Sequence, residues 1–524
     1  MTISRPDRSD RHTATITAAL TRQVSTGEPK RSAKRRFPAY PLIAACWFLA
    51  LVLVAGMATA QVTSVTVDES KPFEKVSGYT YVQATMHGTV ERDDGSVGEY
   101  SVPMVLIYPD DGGNGVGVVD WPNSQPYRVA GHDDPDEFAT LQLARLTTDD
   151  YLFENGYTYA SVQWSKEVTE LFGPDAPDDR EYNHLVYGTI DRGTDTFPIL
   201  RDAARFLRDP SAFDGDAGPM PVDWVLSFGF SQTAALQMEF LVQGENTVDG
   251  ERAYDGHLLG AGGFLCLAPN DEEPLYSEGG PCEGRPADDG SKMITIQAQG
   301  DLEAFFISAL SRFPDVDNWR QYELAGVSHL PAVVLPVLSE NQNPADFRPA
   351  FRAAFHNLKL WTTEGITPPP SKFLEGKVIP EGEELAGTLI TDLDEDGNAL
   401  GGLRLPHMEQ IIDGEVAGAP LGTYTGLKAV DLEALEAAIA ADGGAYTPDD
   451  RFYRLYVAEE APIVAVGGTF TPFSDEELRE RYPDHETYVN RVTRAADYLL
   501  AGGYILEEDR DAYVREAEQS SIGK

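Results

Sequence analysis

Residues 224–243 read WVLSFGFSQTAALQMEFLVQ, and the fold turns on how that stretch is parsed. A short run rich in Val, Leu and Phe ends at Gly229-Phe230-Ser231-Gln232-Thr233 and gives way to helix-favouring residues. Strand, sharp turn and helix in that order make a nucleophile elbow, with Ser231 on the turn. Such a turn strains the serine backbone so that Oγ projects above the sheet, and the following helix aims its N-terminal dipole and free N–H groups at the same place. Close passage of strand and helix calls for small residues two before and two after the serine. Gly229 meets that demand, whereas Thr233 stands where glycine is usual. A serine ahead of a helix is also a common N-cap, so the pentapeptide needs support from the rest of the chain.

That support lies on both sides. Residues 62–108 alternate apolar and polar around an Asp93-Asp94-Gly95 turn and read as antiparallel strands. Val116–Asp120 is a short buried strand running into Trp121-Pro122-Asn123-Ser124. A helix from Asp136 to Phe153, a strand from Tyr157 to Trp164 and a helix from Thr194 to Leu207 follow before the elbow. Beyond it come strands at His257–Ala261, Met293–Ala298 and Trp319–Leu324, with a helix from about Gln299 through Phe313. Alternating strands and helices predict an α/β fold, a mostly parallel sheet flanked by helices, with an antiparallel β extension at its N-terminal side. Parallel sheets present active groups at the carboxyl ends of their strands. Ser231, the Asp301/Glu303 pair and His329 all fall there.

Acyl transfer at neutral pH needs a nucleophilic hydroxyl, a base, an acid group that orients the base, and donors for the oxyanion. The chain order Ser231, carboxylate, His329 is the one an α/β-hydrolase uses. His329 alone among nine histidines follows a late strand in a glycine-containing loop. For the acid, Gly300-Asp301-Leu302-Glu303 offers two carboxylates; Glu303, nearer the edge where the histidine loop returns, is expected, with Asp301 as the alternative. The expected oxyanion donors are the backbone N–H groups of Gln232 and Asn123.

The remaining features set bounds. Residues 1–36 are basic, Pro41–Gly56 is apolar, and Ala58-Thr59-Ala60 supplies small residues, which together read as an export signal cleaved near Ala60. Without residues 1–60 the chain carries 32 basic and 82 acidic residues, a formal charge of −50. That surface disfavours nucleic acid and anionic membranes as partners, and the apolar run is shorter than the roughly 20 residues a bilayer span needs. Cys266 and Cys282 lie in one Gly/Pro/Asp-rich loop, where export permits a disulfide; two free thiols are the alternative. Asp392–Asn398 looks like the start of a calcium loop, but Leu403 occupies the twelfth position and Gly401-Gly402 suits a hairpin better. No zinc or nucleotide signature is present, so neither a metal nor a cofactor is expected. The loops at 124–135, 165–193 and 263–290, with Tyr127, Phe172 and Tyr276, are the expected walls of a pocket for a small ester.

Several motifs occur in a familiar order: VVDWPNS at 118–124, ENGYTYASVQW at 154–164, FGFSQT at 228–233, LAGVSH at 324–329, GGLRLP at 401–406 and PLGTYTG at 420–426. The closing GTFTPFS at 468–474, RYPDHETYVNRV at 481–492 and LLAGGYILEEDR at 499–510 extend the series. Together they resemble a bacterial, often exported α/β-hydrolase domain family of serine esterases, over nearly all of 65–520. The resemblance implies a hydrolase core at 61–362, residues 363–524 packed on it, and Ser231 and His329 as catalytic residues. Thr233 and the Gly-Asp-Leu-Glu turn depart from the family pattern. The expected activity is hydrolysis of a carboxylic ester through an acyl-enzyme. Acyl transfer or lyase chemistry on the same scaffold, or a non-catalytic binding protein, are the rival readings, because fold alone does not fix function.

Overall fold

A computed structural model describes residues 59–92, 94–123, 143–164, 187–188, 192–262, 265–266, 280–281, 286, 288–303, 309–333, 341–380, 387–427 and 466–524. Residues 1–58 of the export signal, most of the three expected pocket loops, and Cys282 lie outside these residues. Among the described residues no helix is long and apolar enough to cross a membrane.

Ten strands form the main sheet: β1 (Thr59–Pro72), β2 (Tyr79–Glu91), β3 (Val97–Pro109), β4 (Val116–Trp121), β5 (Thr158–Val162), β6 (Tyr187–Gly188), β7 (Trp224–Phe230), β10 (Gly256–Gly260), β13 (Lys292–Ala298) and β14 (Trp319–Leu324). Two small pairs intervene, β8 (Thr247–Val248) with β9 (Glu251–Arg252), and β11 (Leu265–Cys266) with β12 (Gly280–Pro281). The order is β1-β2-β3-β5-β4-β7-β10-β13-β14, with β6 pairing β3. Strands β1, β2 and β3 pair antiparallel, and β3 meets β5 antiparallel. From β5 to β14 every pairing is parallel.

Burial follows from this arrangement. Strand β2 alternates buried and half-buried residues, as a sheet with one covered face should, whereas every residue of β10 and β14 is buried. One cover of the parallel half is helix α4 (Gln232–Val242), whose Phe240 stacks edge-on to Trp121 at 5.3 Å. The opposite face receives α6 (Arg348–Glu364), where Phe351 and Phe355 pack on Phe228. Helix α3 (Arg192–Arg208) packs beside β1 and the neighbouring strands.

The helix expected over 136–153 is two short pieces in the described part, α1 (Leu143–Thr148) and α2 (Tyr151–Glu154). Asp149 between them has φ 55°, outside the helical region, and its carboxylate binds Arg348 and Arg352 of α6. Of the helix expected through Phe313, the described residues show α5 (Gln299–Glu303) and a 3-10 turn at Ala309–Ser311.

The C-terminal part adds three antiparallel strand pairs, β15 (Gly376–Val378) with β16 (Leu389–Thr391), β17 (Gln410–Ile412) with β18 (Glu415–Ala417), and β19 (Gly422–Thr425) with β20 (Thr469–Pro472). Helices α7 (Asp475–Arg481), α8 (His485–Ala501) and α9 (Glu507–Gln519) close the chain. The pattern over 475–498 predicts one helix. Pro483 divides it, because the residue before a proline is pushed out of the helical region, and Tyr482 has φ −126°, ψ 76°. This part covers the free edge of β14: Glu323 N donates to Lys372 O at 2.9 Å, and Leu403 N donates to Glu323 O at 2.7 Å. In the turn that resembles a calcium loop, Asp394 pairs with Arg404 and Asp396 with Arg481.

Candidate active site

Ser231 follows β7 directly and caps α4, with φ 56° and ψ −115°. A positive φ at a non-glycine residue costs of order 1–3 kcal/mol, so the surrounding structure must hold it. Its N–H donates to Gly260 O at 2.8 Å, tying the elbow to β10, and its side chain makes no capping bond to the helix. Ser231 thus stands at the N-cap position without serving as a side-chain cap, and the geometry is that of the elbow.

Two glycines make the turn. A Cβ on Gly229 would lie 2.7 Å from the carbonyl carbon of Thr233, so any larger residue would push strand and helix apart. Gly262, just after β10, presses on the serine from the other side, and a Cβ there would lie 2.1 Å from Ser231 O. Nothing in the local sequence marked Gly262, because its partner is a neighbouring strand's loop. Thr233 has a role that glycine lacks. Its buried hydroxyl accepts from Phe230 N–H, and its proton faces Phe230 O and Asn123 Oδ1, each contact 3.2 Å. The threonine thereby links the elbow to the end of β4. Asn123 and Gln232, the expected oxyanion donors, sit on the two elements so joined.

His329 and Asp301 come from adjacent strand ends. His329 lies in the loop after β14, 6% exposed, with Phe230 packed on its ring at 5.3 Å between centroids. Its Nδ1 is 2.6 Å from Oδ1 of Asp301, which is fully buried. An ionised carboxylate can only accept, so Nδ1 carries the proton and Nε2 is the basic nitrogen. The other oxygen of Asp301 accepts from Ala298 N–H at 2.6 Å, which fixes the carboxylate's orientation.

Glu303, the acid expected from the sequence, is not on the histidine. Two residues apart on a helical turn, Asp301 and Glu303 project roughly 200° from one another, so only one faces the returning loop. Glu303 instead accepts from Gln299 Nε2 at 2.7 Å, and burial raises its carboxyl above the usual range. The alternative, Asp301, holds the position.

Residues that the sequence did not mark complete the arrangement. Gln299 Oε1 accepts from Gly326 N–H at 2.9 Å, and Asn343 Nδ2 donates to Gly326 O at 3.0 Å. Gly326, in the Leu-Ala-Gly-Val-Ser-His run, has φ 70° and backs onto Met408 and His407. The half-buried His407 ring lies against Tyr424, and desolvation holds its imidazole down to about 4. Gly300 and Gly426 touch backbone to backbone: a Cβ on Gly300 would lie 2.3 Å from Gly426 O. Among the described residues no group of three or more His, Cys, Asp or Glu is placed to hold a metal ion.

The Alpha/beta hydrolase domain family matches residues 76–515. No curated protein matches. Among solved structures, acetyl xylan esterase 1 from Thermoanaerobacterium sp. is 13% identical, with 38% of this chain and 54% of that one covered and a TM-score of 0.21. The rice cell wall degrading esterase LipA from Xanthomonas oryzae is 12% identical, with 38% and 50% covered and a TM-score of 0.24. A cold-adapted esterase from an Arctic intertidal metagenomic library is 12% identical, with 49% and 87% covered and a TM-score of 0.26. The chain spans about half the length of the first two of these. A family match over most of the sequence places it: the chain belongs to the alpha/beta hydrolase domain family.

Proposed function

We propose that this protein is an exported serine hydrolase that cleaves a carboxylic ester through an acyl-enzyme, residues 1–60 serving as the export signal. The observation that carries the reading is the buried Asp301–His329 pair, at 2.6 Å, on the same sheet edge as the strained Ser231. In this reading Ser231 Oγ attacks the ester carbonyl while His329 Nε2 takes its proton. The tetrahedral oxyanion accepts from the N–H groups of Gln232 and Asn123. Collapse breaks the ester C–O bond, and His329 returns the proton to the departing alcohol. A water molecule, deprotonated by the same nitrogen, then releases the acid and regenerates Ser231. Asp301 holds the tautomer throughout and stabilises the imidazolium.

The test is labelling of the purified protein by a fluorophosphonate, followed by turnover of p-nitrophenyl esters. Labelling is expected in the wild type and absent in Ser231→Ala. A wild type that neither labels nor turns over esters would overturn the reading. Product formed only with an alcohol acceptor, and not with water, would replace hydrolysis by acyl transfer.

A further inference from the structure

Two loops carry the acid and the base, and their register decides whether Asp301 reaches His329. Besides the Asp301–His329 contact, two bonds hold them together: Gly300 N–H to Val327 O at 3.2 Å, and Gly326 N–H to Gln299 Oε1 at 2.9 Å. The second depends on a side-chain amide that has two orientations. Glu303 removes the choice. Its carboxylate, 2.7 Å from Gln299, can be met only by the NH₂ end, which turns the oxygen towards Gly326. With Asn343 on the carbonyl of the same residue, Gly326 is gripped at both of its peptide units three residues before the histidine.

We propose that Glu303 and Gln299 form a clamp that positions the His329 loop on the acid turn, Glu303 acting as a positioning residue through the amide it orients. The inference rests on the acyl-enzyme reading for its kinetic effect but not for its geometry. It explains why this turn carries two carboxylates: Asp301 meets the base, and Glu303 sets the loop that brings the base to it. The function needs an acceptor and not a charge, so glutamine at 303 should serve: with Gly326 N–H holding Gln299 Oε1, the Gln299 amide nitrogen still meets an oxygen at 303.

The experiment compares Glu303→Leu, Glu303→Gln and Gln299→Leu with the wild type. Active serines are titrated with the fluorophosphonate, so that a loss of folded protein does not count as a loss of rate. Turnover per titrated site is expected to fall about tenfold in Glu303→Leu and in Gln299→Leu at unchanged KM, since small displacements of a catalytic group are costly. Glu303→Gln should stay within about twofold of the wild type. Wild-type turnover per site in Glu303→Leu would overturn the clamp. So would a Glu303→Gln variant as slow as Glu303→Leu, which would show that the charge itself is required. A second readout needs no activity: the proton on His329 Nδ1, bonded to a buried carboxylate, should give a far-downfield resonance. That resonance should shift or broaden in Glu303→Leu and persist in Glu303→Gln, and the opposite pattern overturns the clamp. A wild type that fails to label defeats the acyl-enzyme reading alone, because the resonance still decides the positioning.

Discussion

In the antiparallel part of the sheet β2 and β3 run side by side for thirteen residues each in unbroken register, from Tyr79 opposite Pro109 to Glu91 opposite Val97. The parallel strands β4, β5, β7, β10, β13 and β14 hold five to seven residues each. The long hairpin keeps its contacts local and ends few loops near the sheet. The short parallel strands return through crossovers, so many chain ends collect along one edge, and Asn123, Ser231, Asp301 and His329 stand there. Length of pairing stabilises one region, while frequency of interruption equips the other.

That division can be broken by variants placed in each region. The largest effect belongs to the edge: Asp301→Asn should lower kcat/KM by about 10⁴-fold with little change in Tm, because the wrong histidine tautomer is favoured. An activity left within tenfold would show that another carboxylate serves the base. In the hairpin the converse holds. Leu106, fully buried in β3, truncated to Ala should cost roughly 3–5 kcal/mol in denaturant unfolding, with turnover per titrated serine unchanged.

A smaller effect separates the regions by pH. Burial holds His257 of β10 down to about 4, below its unfolded value, so the unfolded chain binds the proton first and stability falls as pH drops from about 6.5 to 4. Asp202, whose carboxylate accepts from Tyr100 of β3, is raised by burial to about 6; its contribution is greatest below its unfolded value and fades as pH rises through 6. The two oppose each other across the same window. His257→Gln should therefore remove up to about 3 kcal/mol of the acid-side loss, and Asp202→Asn should make that loss steeper. Chemical denaturation at pH 4.5 and 7 reads both, and parallel slopes in all three proteins would defeat the assignment. Least of all, Thr85→Ala, which removes an exposed bond to Asp68 on the hairpin's outer side, should change stability by less than about 0.5 kcal/mol.

The elbow was legible because its parts are contiguous: an apolar strand, a serine and a helix within twenty residues. The order of Ser231, acid and His329 was legible for the same reason, each following its own strand. The choice between Asp301 and Glu303 was not. It depends on which side of one helical turn faces a loop that arrives 28 positions later. Thr233 read as a defect in the pattern, and only its spatial neighbour Asn123 gives it a purpose. Gly262, Gln299 and Asn343 were invisible because each acts on a residue from another loop. The break at Asp149 likewise answers to Arg348 and Arg352, some 200 positions away.

The touching backbones of Gly300 and Gly426 carry a consequence for timing. A chain that emerges from its N-terminus has made the serine, the acid and the histidine well before Gly426 exists. Until that late segment arrives and settles, the acid turn lacks the neighbour against which it is shaped. A nascent or prematurely ended polypeptide thus holds Ser231, Asp301 and His329 without the segment that packs against Gly300.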